Sequence, residues 1–256
     1  MLSKSTIKLI NSLSIKKYRQ KEEMFLVEGD KITIEVLKSE YQVLKLYGTS
    51  EFISKNTGII KNAKETFVID PVSLKKASLL KQPQNCLAIC KMPANTGISE
   101  HINGSLSMYI DGVQDPGNFG TIIRICDWFG LTQVFCSPDT VDIYNPKVIQ
   151  ASMGSFCRIQ LCYSNFEDVL KLAKKSNIST IGAFMDGSDI YREALPLKAL
   201  LIVGNEGNGI RPSVKNQISR KITIPTYRLG NNRPESLNVA IATGIICAEF
   251  RRQHSF

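Results

Sequence analysis

The chain has few of the residues that build metal centres. It contains only two histidines, His101 and His254, so we expect neither a histidine-based metal site nor a catalytic triad. The seven cysteines are odd in number and scattered through apolar segments, and Cys86 and Cys90 have no second pair to complete a zinc site. We therefore predict reduced, mostly buried thiols and no bound metal.

Long apolar runs and targeting segments are also missing. No run approaches the roughly 18 residues of a membrane-spanning helix, and the N-terminus lacks the hydrophobic core of a signal peptide. The hydrophobic fraction of 43% and the charged fraction of 21% are ordinary for a globular protein. These features predict a cytoplasmic protein that makes no contact with membranes.

Positive charge is present in excess and is unevenly distributed. The net charge is +9, and residues 1–95 hold 16 Lys/Arg against 9 Asp/Glu, whereas residues 96–256 hold 16 against 14. A basic surface confined to one part of the chain favours a polyanion such as nucleic acid, although it could instead serve only solubility. The first 21 residues carry six basic side chains and no acid, and the candidate RNA contacts among them are Lys16, Lys17, Arg19 and Lys21.

Predicted strands alternate with predicted helices throughout the chain, which indicates an α/β protein. Residues 1–95 are predicted to form a small α/β domain, and the polar segment 96–106 a linker. Residues 107–256 are predicted to form a second α/β domain with a mainly parallel sheet. In such sheets ligands bind at the carboxyl ends of the strands, so the loops found there are the candidate site.

The first of three such loops follows a predicted strand that ends near Asp111. Its turn leads into a helix predicted to begin at Gly120, with Asn118 as a candidate cap. Arg124 lies one turn into this helix, on the side shared with Trp128 and away from the buried face. An arginine placed there can bind a phosphate or lower the pKa of a nearby hydroxyl, or it is simply a surface residue.

The other two loops carry glycines and polar residues in unusual density. The loop from Gly204 to Gly209 includes Glu206 and is either a plain turn or a loop that wraps a ligand. The third loop runs from Pro225 into the last helix. There Ser236 is a candidate N-cap, while Asn238 is predicted just inside the helix, where asparagine has poor propensity.

The order of these patterns is specific as a set. It reads Asn-x-Gly-x-x-x-Arg at 118–124, Val-Gly-Asn-Glu-Gly-x-Gly-Ile at 203–210, and Ile-Pro followed by Glu-Ser-Leu-Asn-Val at 235–239. It resembles the signatures of the SpoU (TrmH-type) branch of the SPOUT superfamily, which are RNA ribose 2′-O-methyltransferases. The segment Phe-Leu-Val-Glu-Gly at 25–29 and the element order make the first domain similar to the L30e-like RNA substrate-binding domain often found in this family.

The resemblance implies a fold, a cofactor and a set of site residues. It implies a C-terminal trefoil-knotted methyltransferase domain, a homodimer, and catalysis with S-adenosyl-L-methionine but without a metal. It implies transfer to a ribose 2′-hydroxyl of RNA, with 23S-type ribosomal RNA as the first expectation and tRNA as the second. The implied cofactor-binding residues are Gly204, Gly209, Ile224, Leu229 and Leu237, and the implied catalytic residues are Arg124, Asn118, Glu206, Ser236 and Asn238.

Two other functions are compatible with parts of the sequence. A Rossmann-type nucleotide-binding protein would use the turn at 117–120 and Asp139 as the ribose-binding acid, but the G-x-G-x-x-G spacing is absent. A non-catalytic RNA-binding protein would use the basic first domain beside a decayed enzyme domain. The loop at 226–234 is longer than is typical of the resembled family, nine residues against about five, and could reach RNA or a partner subunit.

Overall fold

A computed structural model describes residues 2–94, 102, 105–228 and 235–254. Leu229 and most of the predicted linker lie outside the described residues. The chain forms two compact units, Met1–Asn95 with Asp142–Cys157, and Thr96–Val141 with Arg158–Phe256. The segment 142–157 thus packs with the first unit although its sequence neighbours belong to the second. The domain boundaries given above stay a prediction.

Helices and strands alternate in the first 94 residues as the sequence pattern indicates. A short 3₁₀ turn at Ile60–Asn62 precedes β3. In chain order the elements are α1 (Lys4–Ser12), α2 (Lys16–Glu22), β1 (Met24–Glu28), α3 (Asp30–Leu37), β2 (Val43–Gly48), α4 (Ser50–Lys55), β3 (Ala63–Val68), α5 (Pro71–Ala77) and β4 (Cys86–Lys91).

The remaining elements continue this alternation and end in a long helix. Of these, only α7 belongs to the first unit. They are β5 (Leu106–Asp111), α6 (Pro116–Trp128), β6 (Gln133–Cys136), α7 (Pro146–Ser152), β7 (Gln160–Tyr163), α8 (Phe166–Lys175), β8 (Ser179–Asp189), β9 (Ala199–Gly204), α9 (Pro212–Lys215), β10 (Arg220–Thr223) and α10 (Val239–Gln253).

The first unit is built on a mixed four-stranded sheet in the order β1-β4-β2-β3. Strand β4 runs antiparallel to both β1 and β2, and β2 runs parallel to β3. Alternate residues of the strands, among them Leu26, Leu87 and Ile89, pack in one apolar cluster with Ile10 of α1 and Leu74 of α5. Each such buried aliphatic side chain contributes about 1.5–3 kcal/mol to folding.

Contacts between aromatic side chains and a buried ion pair hold the segment 142–157 in the first unit. Tyr144 packs on Phe25 of β1 with ring centroids 4.6 Å apart, and Phe156 packs on Tyr41 at 5.4 Å. Asp142 accepts hydrogen bonds from Arg19 Nη2 at 2.6 Å and from Arg19 Nε at 3.0 Å. These contacts explain why the segment leaves its sequence neighbours.

Arg19 therefore does not occupy the surface position predicted for it. The residue is 1% exposed, and its Nη1 donates to the carbonyls of Leu13 and Ser14 at 2.9 and 3.0 Å. A buried guanidinium needs an opposite charge and hydrogen-bond acceptors, and Asp142, 123 residues further along the chain, supplies the charge. Its charge is thus neutralised inside the unit, whereas Lys16, Lys17 and Lys21 on the same helix are exposed.

The second unit contains a six-stranded sheet in the order β10-β8-β9-β5-β6-β7. Every adjacent pair in this sheet is parallel, which confirms the predicted mainly parallel sheet. The carboxyl ends of all six strands therefore meet at one edge. This edge brings together the three loops that the sequence analysis singled out.

The cysteines behave as small apolar residues. All seven are free thiols, and all except Cys157 are buried. Burial raises the pKa of the Cys126 and Cys136 thiols well above the ordinary value, so both stay protonated and unreactive. In the described parts of the chain, no helix is both long enough and apolar enough to cross a bilayer, and no group of three or more His, Cys, Asp or Glu side chains is arranged to hold a metal ion.

Candidate active site

The loop after β5 enters α6 earlier than predicted. Asp115 is the N-cap, since its side chain accepts a hydrogen bond from Asn118 N at 2.7 Å, and Pro116 is the first helical residue. The prediction that Asn118 caps a helix beginning at Gly120 is therefore wrong. Proline is favoured at the first helical position because its missing N–H needs no partner there. Asn118 lies in the first turn, and its side-chain amide is available for other contacts.

The start of α10 also differs from the prediction. Asn238 is the N-cap, with its Oδ1 accepting from Ala240 N at 2.9 Å and from Ile241 N at 3.3 Å. Ser236 lies before the helix and does not cap it. Because asparagine is among the best N-cap residues, the placement removes the propensity problem noted for Asn238 inside a helix.

The cap of α10 fixes the direction of a hydrogen-bond chain across the three loops. Since backbone N–H groups occupy Asn238 Oδ1, the Nδ2 of Asn238 donates to Asn118 Oδ1, at 2.8 Å. Asn118 must then turn its own Nδ2 toward Glu206, which accepts on Oε1 at 3.0 Å. The three predicted residues Asn118, Glu206 and Asn238 are thus brought together, and both amide orientations follow from the helix end.

The loop that carries Glu206 is closed by its own backbone. Asn205 and Gly209 exchange two backbone hydrogen bonds of 3.0 and 2.9 Å, and Asn205 Oδ1 accepts from the N–H of Gly207 at 2.9 Å. Only glycine fits at 204, because a Cβ there would lie 2.2 Å from the carbonyl carbon of Gly209. Asn205 Nδ2 donates to the carbonyl of Gly112 at 2.8 Å, which ties this loop to the loop after β5.

An ion-pair cluster that the sequence analysis missed supports the same loops. Asp111 at the end of β5 is buried and accepts hydrogen bonds from Arg211 N at 2.8 Å, from Arg211 Nε at 2.7 Å and from Arg211 Nη2. Arg211 Nη2 also donates to Asp139 at 3.1 Å. The hydrogen bond to Asp111 raises the pKa of Arg211 above its ordinary value. An aspartate ending an otherwise apolar strand was the available signal, because a buried charge requires a partner.

A cavity of about 520 Å³ opens beside Glu206. Of the predicted cofactor-binding residues, Gly204, Gly209, Ile224 and Leu237 line it, and so do the predicted catalytic residues Glu206 and Ser236. Its volume is within the range of small-molecule sites. Its other lining residues include apolar side chains from several elements, namely Phe184, Met185, Val203, Ile210, Ile222, Val239, Ala242 and Ile246.

Arg124 stands apart from this group. It lies six residues after Asn118 on α6, which is about 9 Å along the helix and about 120° around it. The side chain is exposed, and among the described residues it has no hydrogen-bond or ion-pair partner. Trp128, four residues on, is 84% exposed on the same side of α6, as predicted from the helical spacing.

The geometry contradicts the Rossmann-type alternative in two places. The segment 117–120 lies within the first turns of α6 and does not form a phosphate-binding loop ahead of the helix. Asp139, the candidate ribose-binding acid, is paired with Arg211. The second and third loops, which that alternative left unexplained, carry most of the residues around the cavity.

Comparison with known families covers nearly the whole chain. Residues 105–248 match the SpoU rRNA Methylase family, and residues 4–88 match the MRM3-like substrate binding domain. The first match spans the second unit's sheet and all three loops. The second match confirms an N-terminal substrate-binding domain, while its detailed likeness to the L30e fold stays a prediction.

Individual relatives agree over the same length. The chain is 28% identical over 240 residues, 93% of each chain, to the 23S rRNA (guanosine(2553)-2′-O)-methyltransferase RlmP of Bacillus subtilis. A TrmH-family protein from Porphyromonas gingivalis is 38% identical, with a TM-score of 0.86 and 99% of each chain covered. The AdoMet-bound rRNA methyltransferase from Sinorhizobium meliloti is 25% identical, with a TM-score of 0.82 over 100% of this chain and 97% of the other. The chain therefore belongs to the SpoU rRNA methylase family.

Proposed function

We propose that this protein transfers a methyl group from S-adenosyl-L-methionine to a ribose 2′-hydroxyl of ribosomal RNA. The observation that carries the proposal is the hydrogen-bond chain from Asn238 through Asn118 to Glu206 at the rim of the cavity. It joins the three family signatures into one site. The names of the Bacillus and Sinorhizobium relatives support the reaction and the class of substrate.

The cavity suits the proposed cofactor in shape and in charge. Gly204 brings the loop backbone close enough that no side chain could stand there, and Ile224 and Leu237 supply apolar surface for an adenine ring. Glu206 and Glu235 line the same cavity and match the positive charges of the cofactor. Gly204, Gly209, Ile224 and Leu237 are therefore the residues proposed to hold it, and Leu229 keeps its place in this proposal on the resemblance alone.

The protein's task is to orient a poorly acidic hydroxyl. The bound cofactor supplies an electrophilic methyl group on its sulfonium. Glu206 is held through Oε1 by Asn118, and its Oε2 is proposed to accept a hydrogen bond from the ribose hydroxyl. Ser236 lines the cavity and is proposed to contact the same ribose. Arg124 binds the target phosphate and polarises the hydroxyl, since an arginine that stays protonated cannot serve as a base.

A homodimer forms part of the proposal. Trp128 on α6 and Ile241 on α10 are 84% and 57% exposed, and the two helices pack together, with Gly244 facing Ile125. We propose that a partner subunit covers these two exposed apolar side chains. Arg124 lies on the same side of α6. A partner subunit that covers this surface would therefore bring Arg124 next to the partner's own cavity.

The trefoil knot of the loops around the cavity is proposed on the resemblance to the family.

The RNA is proposed to be 23S-type ribosomal RNA, with tRNA as the alternative. The relative that matches over 93% of both chains carries a 23S rRNA name, which favours the ribosomal substrate. The bacterial source of the rRNA methyltransferase relatives favours a cytoplasmic location. Direct calorimetric titration tests the proposed cofactor: we expect S-adenosylmethionine to bind and NAD not to bind. Binding of NAD, or of neither compound, would contradict the proposal.

The exposed lysines of α2 are expected to contact RNA phosphates. Replacing Lys16, Lys17 and Lys21 by alanine removes three charges, so the slope of log K against log salt concentration falls by up to about 2–3. Filter binding of an rRNA fragment between low and moderate salt measures the slope. An unchanged slope would show that these lysines serve only solubility.

Arg19 on the same helix provides the matched control. Because its charge is neutralised by Asp142, the variant Arg19→Met leaves the salt slope unchanged. It leaves the Asp142 carboxylate, whose side chain is only 13% exposed, without its partner, so the free energy of unfolding falls by about 3 kcal/mol in a urea titration. A lower salt slope with unaltered stability would contradict the burial of Arg19.

Asn118 is expected to act by holding Glu206. In Asn118→Asp the group facing Glu206 becomes a second carboxylate, which repels it, while Asn238 can still donate to the other oxygen. We expect methyl transfer to fall by about 10²-fold and cofactor affinity to fall much less, by no more than about fivefold, because the rest of the cavity wall is unchanged. Single-turnover methylation and calorimetry separate the two effects. Normal turnover in this variant would show that the Asn118–Glu206 contact has no catalytic part.

A further inference from the structure

The cavity carries its charges in an uneven pattern. Among the described residues that line it, Lys215 is the only cation, and Glu206 and Glu235 are the only acids. Lys215 ends the short helix α9, and its side chain is 38% exposed. A single cation in a small-molecule site is a natural partner for one anionic group of a ligand.

Lys215 is held in place by weak contacts. Its Nζ lies 5.2 Å from the centroid of the Phe184 ring and 3.8 Å from Asp186 Oδ2. An ion pair this long and this exposed stabilises little, and a cation over an aromatic ring keeps its hydrogen-bond donors. The ammonium is therefore positioned by the ring and can still bind a carboxylate.

An irregularity in β8 brings Phe184 to this position. Strand β10 pairs with β8 at Gly182 and resumes pairing at Ser188, so residues 183–187 are left out of the ladder. Gly187 lies so close to the backbone of Ile222 that a Cβ there would be 2.5 Å from its carbonyl carbon. The excursion turns Phe184 and Met185 toward the cavity, which both line.

Lys221 offers a nearly equivalent side chain outside the cavity. Its Nζ lies 5.4 Å from the same ring and 4.0 Å from the same Asp186 oxygen, and its side chain is 40% exposed. It is not among the residues that line the cavity. The two lysines therefore share their surroundings and differ in access to a bound ligand.

We propose that Lys215 binds the carboxylate of the amino-acid end of the cofactor and so selects S-adenosylmethionine over related nucleosides. This inference rests on the proposed function. The cofactor carries one carboxylate and two positive groups, an ammonium and a sulfonium, and the cavity presents one lysine and two glutamates. Lys215 is the complement of the cofactor carboxylate. The Phe184 ring sets the direction from which the ammonium group of Lys215 approaches that carboxylate.

Calorimetry with two ligands tests this assignment. Decarboxylated S-adenosylmethionine lacks only the carboxylate, so the unaltered protein should bind it about tenfold more weakly than S-adenosylmethionine. The variant Lys215→Met should lose about tenfold in affinity for S-adenosylmethionine and less than twofold for the decarboxylated compound. Lys221→Met should bind both ligands as the unaltered protein does, and Lys215→Arg should keep the preference for the carboxylate.

The outcomes distinguish this inference from the proposed function. Three results would overturn the role of Lys215 while leaving cofactor binding intact. They are equal losses of affinity for both ligands in Lys215→Met, no loss for either ligand in that variant, and the same pattern of losses in Lys221→Met. Failure of the unaltered protein to bind S-adenosylmethionine would overturn the proposed function and the inference with it. Far-UV circular dichroism shows that each variant remains folded.

Discussion

Replacing Arg124 by alanine is expected to lower methyl transfer to RNA by about 10²–10³-fold while cofactor affinity stays within twofold. The reason is its place in the structure. The side chain is exposed, has no described partner, and lies outside the set of residues that line the cavity, so its loss leaves the cofactor site intact. The rate of methyl incorporation under single-turnover conditions and a calorimetric titration measure the two quantities.

Two further variants sharpen this result. Arg124→Lys keeps the charge but loses the planar fork that binds phosphate through two donors, so it should recover only part of the rate. Arg220→Ala removes another exposed arginine, at the amino end of β10 and therefore at the opposite edge of the sheet, and should leave the rate unchanged. A normal rate in Arg124→Ala, or an equal loss in Arg220→Ala, would show that Arg124 has no specific part in the reaction.

Replacing Gly204 by alanine is expected to abolish measurable binding of S-adenosylmethionine. The added Cβ would lie 2.2 Å from the carbonyl carbon of Gly209 and 2.3 Å from the nitrogen of Ile210, and both contacts are to backbone. The loop must open to relieve them, which breaks the Asn205–Gly209 pairing and displaces Glu206. Calorimetry with the cofactor measures the loss, and thermal unfolding reports any change in stability.

The other glycines of this loop give a graded series. Gly207→Ala meets nothing closer than Asn205 Oδ1 at 3.7 Å and should bind the cofactor normally. Gly209 has open space around it but a φ of +66°, so alanine there costs about 1 kcal/mol and should weaken binding roughly fivefold. Equal affinities across the three variants would contradict the account of the loop as a closely fitted wall of the site.

Local patterns predicted the architecture of the second unit and the location of its site. Strands that alternate with helices commonly pair in parallel, as they do in the second unit, and parallel strands place their carboxyl ends at one edge, where the three loops meet. Helix starts were harder to predict, because each loop offers two capping residues. Asp115 and Asn118 are both candidate caps for α6, and Ser236 and Asn238 are both candidate caps for α10. The hydrogen bond between the side chains of Asn118 and Asn238 forms with Asp115 and Asn238 as the caps.

Contacts between distant parts of the chain could not be predicted from local patterns. Arg19 reads as one more exposed cation in a basic helix, and only Asp142, far along the chain, explains its burial. The same is true of Arg211, whose partner Asp111 ends a strand 100 residues earlier. The cluster of Lys215, Phe184 and Asp186 depends on a register jump in β8 that no residue pattern indicates.

Methylation of 23S ribosomal RNA is the most direct test of the proposed function. The protein is incubated with unmodified rRNA and S-adenosylmethionine labelled in its methyl group, and the labelled RNA is hydrolysed with alkali. A 2′-O-methyl group blocks cleavage of the adjoining phosphodiester, so the account predicts label in alkali-resistant dinucleotides from one site. Label released as a mononucleotide would indicate methylation of a base, and no incorporation into rRNA would contradict the proposed substrate.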